Sequence, residues 1–259
     1  MRDRLVSLGA ALAGVAVVLL AWKAYVEWFD VSRFLLPPPE EVWRATVDLA
    51  GEGDTWHHTW VTAREITGGF LLATVLGVVT GVLVAEVRFL ERALTPVLVA
   101  LQVIPKVTII PLLLLWFGFG SGSKLVIAAV FAYFPVTMGT SAGLKGTELG
   151  HRDLAAVLQA SRGQRLWTIG LPGALPSILS AMEVAIVLAT IGAVVGEYLA
   201  GDEGLGWLAL RSLNGVRVDE LFGVIVFLSV LGFVLYTAVS LLRRVLVPWH
   251  PSVRRLEAA

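Results

Sequence analysis

Residues 153–172 read DLAAVLQASRGQRLWTIGLP, and they lie between two long apolar runs, 124–144 and 174–199. Leu154, Val157 and Leu158 recur at helical spacing, which puts them on one face of a short helix. Ser161 has the side chain to cap a second short helix, and Pro172 is expected to end it. Two short helices meeting at an angle would present an apolar stripe rimmed by Arg152, Arg162 and Arg165. Such a stripe suits a groove on another protein. Connections between packed elements are mostly short, so a helix-forming loop over about 145–171 calls for a partner.

The flanks of that loop set the class of the whole chain. Hydrophobic residues make up 57% of it without counting glycine, above the ~45–50% with glycine of ordinary soluble domains. Crossing ~30 Å of hydrocarbon takes about 20 mostly apolar residues in a helix, because lipid offers the backbone no hydrogen-bond partner. Six stretches meet that length: 5–28, 61–85, 94–117, 124–144, 174–199 and 221–246. The expected fold is therefore all-α, a polytopic membrane bundle of about six helices forming one domain over residues 1–259. Gly77, Gly81, Pro111 and Pro135 fall inside these stretches and are tolerated where neighbouring helices pack closely or satisfy freed carbonyls. Arg2 and Arg4 before an apolar run also have the form of a secretory signal. Ala21-Trp22-Lys23-Ala24 is a poor cleavage site, so an uncleaved first helix is the simpler reading.

Orientation follows from the basic residues. With the N-terminus inside, Arg2, Arg4, Arg88, Arg92, Lys145, Arg152, Arg162, Arg165, Arg243, Arg244, Arg254 and Arg255 fall on the cytoplasmic side. The other side receives Arg33, Arg44, Lys124, Arg211 and Arg217, so both termini are expected to be cytoplasmic. In the outer segment, Pro37-Pro38-Pro39 precedes a short surface helix over residues 40–50, with Glu40 and Glu41 in its first turn and Val42, Val47 and Leu49 as its apolar residues. Trp22, Trp28, Trp207 and Trp249 sit near span ends, as an aromatic belt would place them.

Several chemistries are excluded or weak. Cysteine is absent, so thiolate metal sites and disulfides are unavailable. A net charge of zero with dispersed bases argues against nucleic acid. No G-x-x-x-x-G-K-[ST] run is present, so the chain cannot hydrolyse ATP by itself. His57-His58 without further ligands at suitable spacing reads as an exposed loop pair, with no metal site. Ionisable groups at membrane depth cost about 2.5–3.5 kcal/mol each on insertion scales, and Lys106, Glu183 and Glu197 each require an account. Glu197 is read either as the partner of a base such as Arg64 or as a group lining the pathway. Lys106, after Pro105, either presents charge to an anionic solute or reaches an interface.

The loop resembles the EAA loop of ABC importer permeases, whose pattern is E-A-A, three residues, G, nine residues and I-x-L-P. Asp153 takes the Glu position, Ala155 the second Ala, Gln159 the Gly, and Ile169, Leu171 and Pro172 the end, without a gap. Asp153, Leu154 and Gln159 depart from the pattern. The resemblance extends over about residues 30–250 through Leu36-Pro37, Arg64 with Gly69-Phe70-Leu71-Leu72-Ala73, Ile104-Pro105, Ile110-Pro111, Glu197 and Gly204-Leu205-Gly206. It points to the subgroup importing nitrate, sulfonates, taurine, bicarbonate or thiamine pyrimidines, with flavins also open.

That resemblance implies the type I importer fold in a bacterial cytoplasmic membrane, transport by alternating access, and two permease copies forming a homodimer. It implies two cytoplasmic ATPases holding ATP and Mg²⁺ and an extracytoplasmic solute-binding protein. No cofactor is expected in this chain. An ion-coupled secondary transporter, working through intramembrane charges such as Lys106, is the alternative.

Overall fold

The computed structural model describes residues 2–146 and 160–248, and the described residues are helical with no strand. The helices are α1 (Arg2–Trp28), α2 (Pro39–Gly51), α3 (Gly53–Glu86), α4 (Arg88–Val103), α5 (Lys106–Phe117) and α6 (Ser121–Lys145). After the undescribed stretch come α7 (Arg162–Arg165), a π turn (Leu166–Gly170), α8 (Leu171–Ala200), α9 (Leu205–Asn214) and α10 (Val218–Leu246).

Four helical stretches are long and apolar enough to cross a membrane unbroken: Gly53–Glu86, Ser121–Lys145, Arg162–Ala200 and Val218–Leu246. The expected third span is not one helix. It divides into α4 and α5, bent by 100°, because Pro105 carries no N–H and holds Ile104 extended. The 27 residues of α1 reach ~40 Å, enough to cross. That helix stands at the periphery, where Trp22 rests on Phe222 of α10 with ring centroids 5.7 Å apart.

Small residues bring the central helices together. A side-chain carbon added at Gly69 would lie 2.5 Å from Ala128 Cβ, at Gly77 2.8 Å from Val136 Cβ, and at Gly81 2.5 Å from Thr140 Cβ. These contacts advance in the same order along both helices, so α3 and α6 run parallel. Gly143 meets Ala174 and Ser177, while Gly192 lies against Ala128 and Phe131, so α8 runs antiparallel to α6. With lipid as apolar as any side chain, van der Waals contact at such stripes is a principal source of cohesion. Ala128, Ala132, Ala185 and Ala189 are fully buried in the resulting core, with Ile66 and Val136.

The predicted surface helix is α2, with Val42 and Leu49 buried and Val47 exposed. Leu49 lies over Gly223, which clamps α2 against α10. The expectation that Pro172 ends a helix is corrected. Leu171 N–H bonds back to the Leu166 carbonyl, and the wider π turn carries the chain into α8 with Pro172 in its first turn, where a missing N–H is harmless. Ser161 does cap its helix: its Oγ accepts from Gln164 N–H at 3.2 Å, while Gln164 Oε1 accepts from Ser161 N–H at 2.9 Å. Asp153, Leu154, Ala155, Val157, Leu158 and Gln159 lie outside the described residues, as do Arg152, Trp249, Arg254 and Arg255.

Candidate functional site

One end of the bundle carries the starts of α3, α6 and α10 and the end of α8. There, Glu197 is fully buried. Its Oε1 accepts from Thr62 Oγ at 2.6 Å, and its Oε2 from Gly206 N–H at 2.7 Å. Thr62 Oγ in turn accepts from Leu205 N–H at 2.8 Å, and His58 Nδ1 accepts from Gly204 N–H at 3.1 Å. Three successive backbone donors at the start of α9 are thus satisfied by α3 and α8. The family-like Gly204-Leu205-Gly206 acquires a reason here. Gly204 has φ +106°, and an added Cβ would fall inside the Glu197 carboxylate; at Gly206 it would lie 2.7 Å from the Val194 carbonyl.

Beside this anchor lie two buried ionisable groups that the sequence reading missed. Glu65 and Lys124 are each 1% exposed, with Glu65 Oε1 3.8 Å from Lys124 Nζ. Lys124 also faces Asp202 at 3.5 Å across the loop after α8. At such distances these are electrostatic contacts rather than hydrogen bonds. Lys124 was expected only as one of the bases on the outer side; it follows Ser123 in the first turn of α6 and is buried there. Glu197 does not pair with Arg64, which is exposed. His58 is likewise buried rather than exposed; it packs on Trp207 at 5.0 Å, and only His57 remains in the open. Among the described residues no group of three His, Asp or Glu gathers as metal ligands.

Midway along the bundle, α3, α4, α5 and α6 line an open-sided cavity of about 310 Å³ at the α4–α5 bend. Its wall is apolar and aromatic except for Lys106, the first residue of α5. The ammonium lies 5.4 Å from the Phe134 ring centroid. Lys106 is half-buried, and a cation–π contact in such a place contributes about 0.5–2 kcal/mol, less than the ~2.5–3.5 kcal/mol that a lysine at the centre of a membrane helix costs on insertion scales. Glu183, by contrast, is matched: its carboxylate accepts from Arg243 at 2.8 Å, tying α8 to α10.

The opposite end of the bundle holds the ends of α3 and α6 and the start of α8. Arg165, directly after the Ser161 cap, donates to Glu86 at 2.9 Å, and Lys145 donates to Glu91 at 2.7 Å. Two ion pairs therefore fasten the chain on either side of the undescribed loop to α3 and α4. Trp167, on the π turn that follows Arg165, is 72% exposed. Arg162 is exposed, while Ile169 and Leu171 are half-buried.

A bundle of apolar helices centred on α3, α6 and α8, with a bent pair packed beside it, is a membrane permease of the type I ABC transporter fold. It superposes on a chain of the MetNI methionine ABC transporter in an inward-facing conformation, with a TM-score of 0.65. That match covers 73% of this chain and 94% of the other at 20% identity. Residues 73–250 match the family described as the binding-protein-dependent transport system inner membrane component, and the chain belongs to that family.

Its relatives include the formylaminopyrimidine transport permease ThiX of Halalkalibacterium halodurans, 35% identical over 90% of this chain and 93% of that one. The riboflavin transport system permease RibX of Chloroflexus aurantiacus is 35% identical over 91% and 88%. The taurine permease TauC of Escherichia coli is 27% identical over 94% and 90%. The chain is accordingly the permease subunit of an ABC importer for a small solute, a multi-pass protein of the inner membrane. Family membership replaces the ion-coupled alternative.

Proposed function

We propose that two copies of this chain form the pathway of an importer for a small nitrogen heterocycle of the pyrimidine class. The observation that carries this reading is the 35% identity to a formylaminopyrimidine permease over nearly the whole of both chains. A riboflavin permease, whose solute is also a nitrogen heterocycle, shares the same 35%, whereas identity falls to 30% for a sulfonate permease, 27% for a taurine permease and 24% for a nitrate permease. In this reading a solute-binding protein delivers substrate at the Glu197 end, which faces outward, and both termini are cytoplasmic. Two ATPases, holding ATP and Mg²⁺, grip the loop at 145–171.

The motion they supply reaches the bundle through Arg165–Glu86 and Lys145–Glu91, and the pathway alternates between outward and inward openings. Transmission needs an element with two arrangements whose balance nucleotide shifts, and the loop with its two ion-paired ends is suited to that task. The test is uptake into vesicles containing the permease and its ATPase, with ATP inside and the binding protein outside. Labelled formylaminopyrimidine is expected to accumulate saturably and only with ATP; accumulation of taurine or nitrate in its place would refute the pyrimidine assignment. Asp153→Lys is expected to abolish uptake and transport-linked ATP hydrolysis while the protein stays inserted. Normal uptake by that variant would remove the loop from the transmission path.

A further inference from the structure

Lys106 carries a formal charge at the middle of the bundle, and among the described residues no carboxylate stands within ion-pairing distance of it. Among the described residues, the other ionisable groups within the spans have a charged or hydrogen-bonding neighbour: Glu197 has Thr62 and Gly206, Glu65 has Lys124, and Glu183 has Arg243, while Lys106 itself is half-buried. Lys106 has the face of Phe134 and an apolar cavity. An ammonium has three donors and a ring face occupies the space of one, so hydrogen-bonding capacity is left over at membrane depth. Another cavity of similar size, about 360 Å³ between α2, α3 and α10, is lined by no charged group.

The wall around Lys106 is specific in shape as well as charge. Tyr133 and Phe134 bring two aromatic rings, and Leu76, Ile109 and Val130 add branched aliphatic side chains to the lining. Apolar and aromatic walls with one directed polar group are the usual composition of a site for a small organic solute. The volume, about 310 Å³, lies at the lower end of the ~300–1,000 Å³ such sites occupy. It favours a single ring with short substituents. The α4–α5 bend holds Lys106 at the cavity rather than at either membrane face, because Pro105 breaks the helix one residue before it.

We infer that this cavity is a transient binding site for the solute inside the permease, where a planar heterocycle lies against Tyr133 and Phe134 while Lys106 donates to a ring nitrogen or carbonyl oxygen. The inference rests on the pyrimidine reading above and adds the residues that select the solute after its delivery. A sulfonate or nitrate would also meet the ammonium, but neither has a ring to use the two aromatic walls.

The test uses the full chain in lipid nanodiscs without the binding protein, so that the permease alone is read. Formylaminopyrimidine is expected to raise the melting temperature of the wild type in a saturable way, since a ligand of the folded state stabilises it by mass action. In Lys106→Met the half-saturating concentration is expected to rise by about 10–100-fold, the loss of one charge-assisted hydrogen bond, whereas Lys106→Arg should hold it within a few-fold. Ligand-free melting of each variant controls for folding. An unchanged half-saturating concentration in Lys106→Met overturns the site, as does the absence of any wild-type shift. Vesicle uptake separates the two ideas: pyrimidine uptake without a Lys106 effect defeats this site alone, and failure of wild-type pyrimidine uptake defeats the pyrimidine reading.

Discussion

Replacing Glu197 with leucine is expected to destabilise the permease by about 3–5 kcal/mol, the range found when one member of a buried charged network is removed. The side chain is 0% exposed and accepts from α3 through Thr62 and from α9 through Gly206. Leucine accepts neither bond. It would strand the buried Gly206 N–H, costing about 1–3 kcal/mol, leave the Thr62 hydroxyl to donate only to the His58 carbonyl at 3.1 Å, and take a neighbouring acceptor from the region around Lys124. Glutamine should cost roughly half as much, because its carbonyl oxygen can still accept from Thr62 while its amide nitrogen opposes the Gly206 N–H. Thermal melting of purified protein in lipid nanodiscs measures both changes. A leucine variant that melts with the wild type would show that α9 is held by its apolar contacts, with Leu205 and Leu208, and not by the carboxylate.

Gly69→Leu is expected to be comparably damaging, at about 3 kcal/mol or more, because overpacking a close helix contact forces backbones apart. The first added carbon would lie 2.5 Å from Ala128 Cβ and 2.7 Å from the Leu125 carbonyl oxygen. Backbone cannot move aside as a flexible side chain can. Separating α3 from α6 there would also draw Glu65 away from Lys124, so the expected loss includes part of the charged cluster. The expected outcome is a large fall in folded yield and melting temperature. Leucine at Gly68, where an added carbon meets mainly the movable end of Leu125, provides the comparison and should be much milder. Equal stability of the two variants would mean that the α3–α6 contact is looser than these distances require.

The apolar stretches were legible because crossing a membrane is a local demand: each needs its own run of some twenty residues, whatever it packs against. The surface helix α2 was legible for a similar reason, with Pro39 opening it and two acids in its first turn. The cap at Ser161 lay three residues from its partner, within reach of a sequence pattern. Pro172 misled because a proline can end a helix or begin one, and only the π turn before it decided between these roles.

The candidate site was less legible. Glu197 drew attention as an acid in an apolar run, but its ligands come from Thr62, 135 positions away, and from the start of a helix that hydropathy did not reveal. Glu65 and Lys124 gave a weak signal. Each stands near the end of an apolar stretch, where a charge ordinarily reaches water. His58 looked like its exposed neighbour His57 because adjacent residues on a helix point about 100° apart, and one faced Trp207 while the other faced out.

By itself the sequence determined that this protein lives in a membrane and roughly where its helices run. Those properties depend on composition and short-range spacing. The tertiary structure alone decided that the third span is bent at Pro105, that Lys106 opens onto a cavity, and that Glu65, Lys124 and Glu197 share one buried cluster. The reason is the same in each case: the cost of a charge in an apolar medium is set by what other helices bring to within a few ångströms of it, and that is not written at any one position of the chain.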